Sequence, residues 1–230
     1  MVPIGGRPIL EHLIALLRRH GVTQVAINLH YKPDLIMSYF GDGRHCGVAI
    51  TYSLEPRLLG TAGAAKRLDW FLSDTFLVLY GDVLTDLDLS AFWASHRATG
   101  ALGTLALYEV EDPTRCGMVE LAPDGRVRRF VEKPPPGVVV PGNLANAGIY
   151  ILEPAALRYV PRDQPFDFGR DLFPKVLRLG LPLFGRRTDS YVLDVGSPQR
   201  HAQARADLRS GRLRLSPGRR ELQGTWSGWC

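Results

Sequence analysis

The chain has 230 residues, 45% hydrophobic and 22% charged, enough to bury one substantial core. Its most apolar N-terminal stretch, Ile9 to Leu17, carries Glu11 and His12 and is too short to span a bilayer, and no signal-peptide cleavage pattern is visible. The net charge of +5 comes from dispersed basic residues with no recognition motif, which excludes nucleic acid as the expected partner and leaves anionic small molecules. The cytoplasm is the expected location.

Taken in order, Ile9, Leu10, Leu13, Ile14, Leu16 and Leu17 recur at helical spacing between Pro8 and Gly21 and predict a first helix. Gln24 to Leu29 reads as a buried strand, Asp34 to Phe40 as a short helix, and Val48 to Leu54 as a β-branched strand. A helix is expected from about Thr61 to Phe71. The apolar run Thr75 to Tyr80 ends at Gly81-Asp82, as a strand buried on both faces of a parallel sheet would. Leu89 to Arg97 predicts the next helix. This alternation of strand and helix is the pattern of an α/β layer fold.

After the strand Leu102 to Tyr108 the pattern changes. Gly117 to Leu121 and Val127 to Val131 flank Pro123-Asp124-Gly125, a turn signal for an antiparallel hairpin. Pro134, Pro135 and Pro136 then end regular ladder pairing. Strand Ala147 to Leu152, a helix around Gly169 to Leu179, strand Tyr191 to Leu193 and a helix from Pro198 to about Arg209 follow. Residues 210–230 lack any period and read as a tail, so one domain is expected over residues 1–209.

Cys46, Cys116 and Cys230 form no C-x-x-C pair and the six histidines lack metal spacing, which argues against a disulfide framework or a structural zinc site. Lysine is scarce: Lys32, Lys66, Lys133 and Lys175 are the four among 28 basic residues. Ligands of open parallel sheets bind outside the carboxyl ends of the strands, and Asp82 and Asp194 are both expected there. Two such carboxylates suit Mg²⁺, with phosphates and waters completing its shell. Either aspartate alone reads more readily as a helix cap or loop anchor.

Five segments occur in an order that one family shares: Leu59-Gly60-Thr61-Ala62-Gly63-Ala64, Gly81-Asp82, Phe130-Val131-Glu132-Lys133-Pro134, Asn146-Ala147-Gly148-Ile149-Tyr150 and Leu193-Asp194-Val195-Gly196-Ser197-Pro198. From Val2 to about Leu208 the chain resembles the sugar-1-phosphate nucleotidyltransferases, and within them the mannose-1-phosphate guanylyltransferase branch. The resemblance implies a doubly wound, mostly parallel, Rossmann-like α/β sheet with an antiparallel hairpin insertion. It implies that a nucleoside triphosphate, with GTP favoured, and a sugar 1-phosphate react with Mg²⁺ as cofactor. Asp82, Lys133 and Asp194 would be catalytic, with Asp82 and Asp194 holding the metal. Gly60, Thr61, Ala62, Gly81, Glu132, Asn146, Gly148 and Lys175 would bind substrate.

Residue chemistry bears on these roles and leaves alternatives. Gly60 and Ala62 are small enough for close approach to a flat base, or they begin a helix capped by Thr61. Lys133 offers a point charge to a sugar phosphate, or it is a solvated hairpin end; Glu132 and Asn146 suit sugar hydroxyls. Lys175 reads evenly as a second phosphate contact or an exposed helix residue.

In that family a strand and a Gly-rich phosphate loop precede the equivalent of Met1, so the first strand is expected to be absent here and activity of the chain as written to be impaired. Gly5-Gly6-Arg7 reads as the turn into the first helix rather than as that loop. Two other functions remain open: a non-catalytic sugar-nucleotide-binding regulatory paralogue, and a metal-dependent glycosyltransferase using the D-x-D of Asp86-Leu87-Asp88. Nothing in the sequence decides between a monomer and a homo-oligomer.

Overall fold

The computed structural model describes residues 3–135, 138 and 142–215. Pro136, the third of the prolines expected to end ladder pairing, and most of the expected tail, residues 216–230, lie outside them. The chain groups into two compact units, one drawn from Met1–Tyr52, Gly81–Leu89 and Ser190–Cys230, the other from Ser53–Tyr80 and Ser90–Asp189. No helix among the described residues is long and apolar enough to cross a membrane.

In the first unit a two-residue hairpin, Pro3–Ile4 against Arg7–Pro8, turns through Gly5 and Gly6, whose φ of 56° and 80° suit glycine. It leads directly into the Ile9–Arg19 helix, as the sequence implied. That helix buries Ile9, Leu13, Ile14, Leu16 and Leu17 on one face. Ile14, Phe40 and Val48 form a small core bordered by Val25 and Ile27 of the Gln24–Leu29 strand and by Ile50 of Ala49–Leu54. These two strands pair with each other. The Pro33–Phe40 helix supplies Phe40, and the Pro198–Arg209 helix starts at Ser197, whose Oγ accepts from the Arg200 N–H.

His12 is 3% exposed in this unit. Its Nε2 lies 2.8 Å from the Ile4 carbonyl, which requires the proton on Nε2, while Nδ1 has no partner among the described residues. Burial pulls its pKa below the ordinary 6.5; the Ile4 contact opposes this in part, and Arg7 adds to it. The unfolded chain therefore binds the proton more readily than the fold. The stabilising difference is intact above about pH 6.5 and is lost as pH falls below it. Urea midpoints measured between pH 7.5 and 5 should fall more steeply in the wild type than in His12→Gln; equal slopes would refute a neutral, buried His12.

The second unit is built on a six-stranded mixed sheet. Phe76–Leu79, Gly103–Glu109, Gly117–Leu121 and Leu183–Arg187 run one way, and Leu144–Leu152 and Val127–Glu132 run the other. Four strands thus share a direction, the mostly parallel character expected of an α/β sheet. The reversed Leu144–Leu152 strand sits among them, so Gly103–Glu109 with Leu183–Arg187 is the one parallel ladder in this sheet among the described residues. The expected hairpin is present, Gly117–Leu121 against Val127–Glu132. Phe76–Leu79 corrects its expectation: three of its four residues are only half-buried. Among the described residues it pairs along one edge alone, with Leu144–Leu152.

Tyr150, Phe168 and Phe173 anchor the main core, with ring centroids 4.9–5.9 Å apart in edge-on and stacked contacts. Each such pair contributes about 0.5–1.5 kcal/mol beyond its buried area. Phe168 and Phe173 come from a segment the sequence assigned to one helix. It is instead a π-helical turn, Phe168–Leu172, running into the short α-helix Phe173–Arg178.

Candidate functional site

The candidate residues divide between the two units, and each group has its own geometry. In the first unit the strands Val83–Thr85 and Val192–Asp194 form an antiparallel pair in which Asp194 faces Val83. Asp82 immediately precedes one strand and Asp194 ends the other. The Val195 N–H donates to the Asp82 carbonyl at 2.8 Å, and the Gly196 N–H donates to Asp194 Oδ1 at 2.7 Å. The two aspartates do converge, although the expected geometry is corrected: an antiparallel two-strand ladder joins them, not the parallel strand ends of one sheet. A three-residue strand between Asp82 and Asp86 carries no readable period, so sequence reasoning missed it.

Asp82 keeps a solvent-accessible face, yet its pKa is pushed up, first by the hydration lost to surrounding protein and then by the Asp194 charge. A like charge that raises the cost of ionising Asp82 in this way favours a cation beside it. A Cβ placed at Gly196 would come 2.9 Å from Asp194 Oδ1 and 3.9 Å from Asp82 Oδ2, so Gly196 keeps this approach open. At Gly81 a Cβ would meet nothing within 4 Å. No group of three or more His, Cys, Asp or Glu fit for a metal exists among the described residues. The donor set is a carboxylate pair, which fits Mg²⁺ sharing its shell with phosphates and water and does not fit a closed structural site.

Asp86 and Asp88 have structural occupations. Asp86 Oδ1 accepts from the Tyr191 N–H at 2.9 Å, and Asp88 lies 3.7 Å from His20 Nδ1. The D-x-D therefore braces its own unit.

In the second unit the Gly60–Arg67 helix begins at the small-residue motif. Gly60 has φ 70°, and a Cβ there would lie 2.8 Å from the Phe166 carbonyl oxygen, so no other residue fits without strain. That same carbonyl accepts the N–H groups of Ala62 (2.9 Å) and Gly63 (2.8 Å). Ala62 is fully buried, so its backbone donor is committed and half-buried Gly60 and Thr61 remain the approachable part of the motif. Thr61 Oγ1 donates to Asp167 Oδ1 at 3.2 Å and accepts from the Phe168 N–H at 2.9 Å.

A hydrogen-bonded chain runs from Asn146, whose Nδ2 donates to the Tyr150 hydroxyl at 2.7 Å, through Tyr150 to the Tyr80 hydroxyl at 3.3 Å. Asn146 Oδ1 accepts the Gly148 N–H at 3.1 Å, leaving the amide one further donor and one further lone pair for a ligand. Gly148 has φ 69° where the register of its strand shifts, and the Tyr80 ring occupies the space of a Cβ at 3.0 Å. Tyr80, Tyr150 and Asp167 were not singled out from sequence; the first two lie in or beside quoted motifs, and Asp167 gave no signal.

Glu132 ends the hairpin strand. Its pKa is raised by burial, against the pull of Lys133 and Arg170. Its carboxylate accepts no hydrogen bond among the described residues, which leaves a partly desolvated acceptor in need of donors. Lys133 is exposed and holds the left-handed φ of 45°, with its N–H on the Cys116 carbonyl at 3.1 Å. Lys175 is otherwise engaged: Nζ donates to the Tyr159 carbonyl at 2.8 Å and lies over the Phe166 ring at 5.6 Å. We assign Lys175 no phosphate.

Comparison with known proteins adds a family to this geometry. The model of the nucleotidyl transferase family matches residues 1–211. A UTP–glucose-1-phosphate uridylyltransferase of Synechocystis is 38% identical over 218 residues, 89% of this chain and 56% of that protein. A mannose-1-phosphate guanylyltransferase of Mycobacterium tuberculosis is 34% identical over 226 residues, 97% of this chain and 62% of that protein. The chain thus spans little more than half the length of these relatives. The crystal structure of HddC from Yersinia pseudotuberculosis, 28% identical, superposes with a TM-score of 0.77 over 90% of this chain and 88% of that one, and HddC has also been solved with GMP-PN.

Proposed function

The chain belongs to the nucleotidyl transferase family, and from that premise we propose that it forms a nucleoside-diphosphate sugar from a nucleoside triphosphate and a sugar 1-phosphate. The observation that carries this reading is the convergence of Asp82 and Asp194 in an open, partly desolvated pair. A phosphate oxygen of the sugar 1-phosphate attacks the α-phosphorus; the new P–O bond forms as the bond to the β-phosphate breaks, and pyrophosphate leaves. The attacking phosphate is already largely ionised, its second pKa being about 6, so no general base is needed. This agrees with candidate residues that are carboxylates, an amide and a lysine rather than a base–nucleophile pair.

Asp82 and Asp194 would hold Mg²⁺, whose charge neutralises the phosphates as they approach one another. Lys133 supplies a mobile positive charge for the sugar phosphate, and Glu132 with Asn146 takes up sugar hydroxyls. Gly60 and Thr61 offer the base a close, polar edge. The chemistry then rests on positioning and charge neutralisation.

For the pair of substrates we propose GTP and mannose 1-phosphate, in line with the motif resemblance and with the Mycobacterium tuberculosis relative. UTP with glucose 1-phosphate is the second reading, favoured by the Synechocystis relative. Pyrophosphate release by the full-length protein, across both triphosphates and both sugar phosphates at fixed Mg²⁺, tests this. The expected result is the highest kcat/KM with GTP and mannose 1-phosphate. A UTP preference selects the second reading, and no release with any pair would sink the nucleotidyltransferase assignment in favour of a binding paralogue.

A further inference from the structure

We propose that Gly169 is a positioning residue for the sugar-binding carboxylate: together with Gly117 it forms a slot that fixes Glu132 by steric walls and leaves its lone pairs free for ligand. The proposal rests on the reading of Glu132 as an acceptor for sugar hydroxyls. A Cβ at Gly169 would come 2.6 Å from Glu132 Oε2, and one at Gly117 would come 2.7 Å from the same oxygen. Both glycines therefore border one carboxylate atom, although they lie in different elements, the Gly117–Leu121 strand and the Phe168–Leu172 turn.

Neither glycine is there for its backbone freedom. Neither has a positive φ, one is in a strand and the other in a helical turn, and glycine is the less stable choice than alanine in both settings. What each provides is the space a methyl group would fill. The remaining wall is the Phe130 ring, whose edge would lie 3.2 Å from a Cβ at Gly169 and 2.9 Å from one at Gly117. That ring packs on Phe173 in the core at a centroid distance of 5.3 Å, so it has little room to retreat. Glu132 Oε2 is the end of a flexible side chain and yields first.

The usual way to fix a half-buried carboxylate is to hydrogen-bond it, and Glu132 accepts no such bond among the described residues. A steric slot restricts its rotamers without consuming an acceptor. The local backbone suits this purpose: the Leu172 N–H bonds to the Asp167 carbonyl at 2.9 Å, an i to i−5 contact that widens the turn carrying Gly169. Such π turns gather at functional sites.

The test is the set Gly169→Ala, Glu132→Ala and the double variant, in the full-length protein. Gly169→Ala is expected to lower kcat/KM for the sugar 1-phosphate about tenfold, since small misplacements of a polar contact are costly, while changing the triphosphate KM less than about twofold. Adding Gly169→Ala to Glu132→Ala should have no further effect. If the single alanine lowers Tm, the double variant should recover most of the loss, because the closest clash, at 2.6 Å, is with that carboxylate and the Phe130 ring edge stands at 3.2 Å. Wild-type kinetics in Gly169→Ala beside an impaired Glu132→Ala would overturn the slot alone, as would a Tm loss that persists in the double variant. A Glu132→Ala variant with unchanged sugar-phosphate kinetics would instead remove the reading of Glu132 on which the slot depends.

Discussion

Asp82→Asn and Asp194→Asn are each expected to lower Mg²⁺-dependent turnover by at least about 10³-fold, roughly 4 kcal/mol of transition-state stabilisation, while the fold survives. Asparagine keeps the shape of the side chain, and at position 194 it can still accept the Gly196 N–H, so the local turn has no reason to open. What it removes is one of two charges that stand together at a cost. Burial and Asp194 both raise the Asp82 pKa, so at neutral pH ionised Asp82 opposes folding when no cation offsets it. Without Mg²⁺ the Asn variants should therefore melt no lower than the wild type, and Mg²⁺ should raise the wild-type Tm but not theirs. Near-wild-type rates at low Mg²⁺ in either variant would mean that its aspartate is no ligand.

Lys133 gives the second large effect, and here function and stability should move in opposite directions. A lysine with φ 45° sits in the left-handed region at a cost of roughly 1–2 kcal/mol. Strain of this kind persists where a side chain is needed at that spot. Losing a charge-assisted phosphate contact costs about 1.5–3 kcal/mol, so Lys133→Ala and Lys133→Gly should both lower kcat/KM for the sugar 1-phosphate by roughly 10- to 150-fold. Alanine keeps the backbone strain and glycine relieves it, so the glycine variant should be the more stable of the two by about 1 kcal/mol. Lys66→Ala is the control, since Lys66 pairs with Asp69 at 3.2 Å outside the motifs. Equal, small kinetic effects at positions 66 and 133 would reduce Lys133 to a surface charge.

Much of the fold was legible because long elements with a clear period declare themselves. Ile9–Arg19, Gln24–Leu29, Leu89–Arg97 and Pro198–Arg209 stand where hydrophobic spacing, proline and serine starts put them, although Gln24–Leu29 buries only Leu29 and is not the buried strand its composition suggested. What escaped was short or mixed in character. Val83–Thr85 has three residues, all buried, and Leu183–Arg187 begins apolar, contains Gly185 and ends in two exposed arginines, so neither alternates. The π turn at Phe168–Leu172 escaped because its apolar residues fit an ordinary helix equally well.

For the site, the sequence supplied residues and the structure supplied their engagements. Spacing could suggest Asp82 and Asp194 but not the antiparallel ladder that joins them. It could name Lys175 and Ala62 but not the Tyr159 and Phe166 carbonyls that occupy the Lys175 ammonium and the Ala62 N–H. The space reserved by Gly117 and Gly169 is invisible in sequence, because glycine in a strand or a helix reads only as a weakness.

The pairing of Val83–Thr85 with Val192–Asp194 also sets an order of events during synthesis. Every strand of the six-stranded sheet has left the ribosome by Arg187, so the second unit's sheet can close first. The first unit must hold its middle segment, Gly81–Leu89, unpaired until Val192–Asp194 emerges, and closing so long a loop is slow and entropically costly. The carboxylate pair is thus a late product of folding. Asp82 acquires its partner only once Val192–Asp194 has been made, after every strand of the six-stranded sheet.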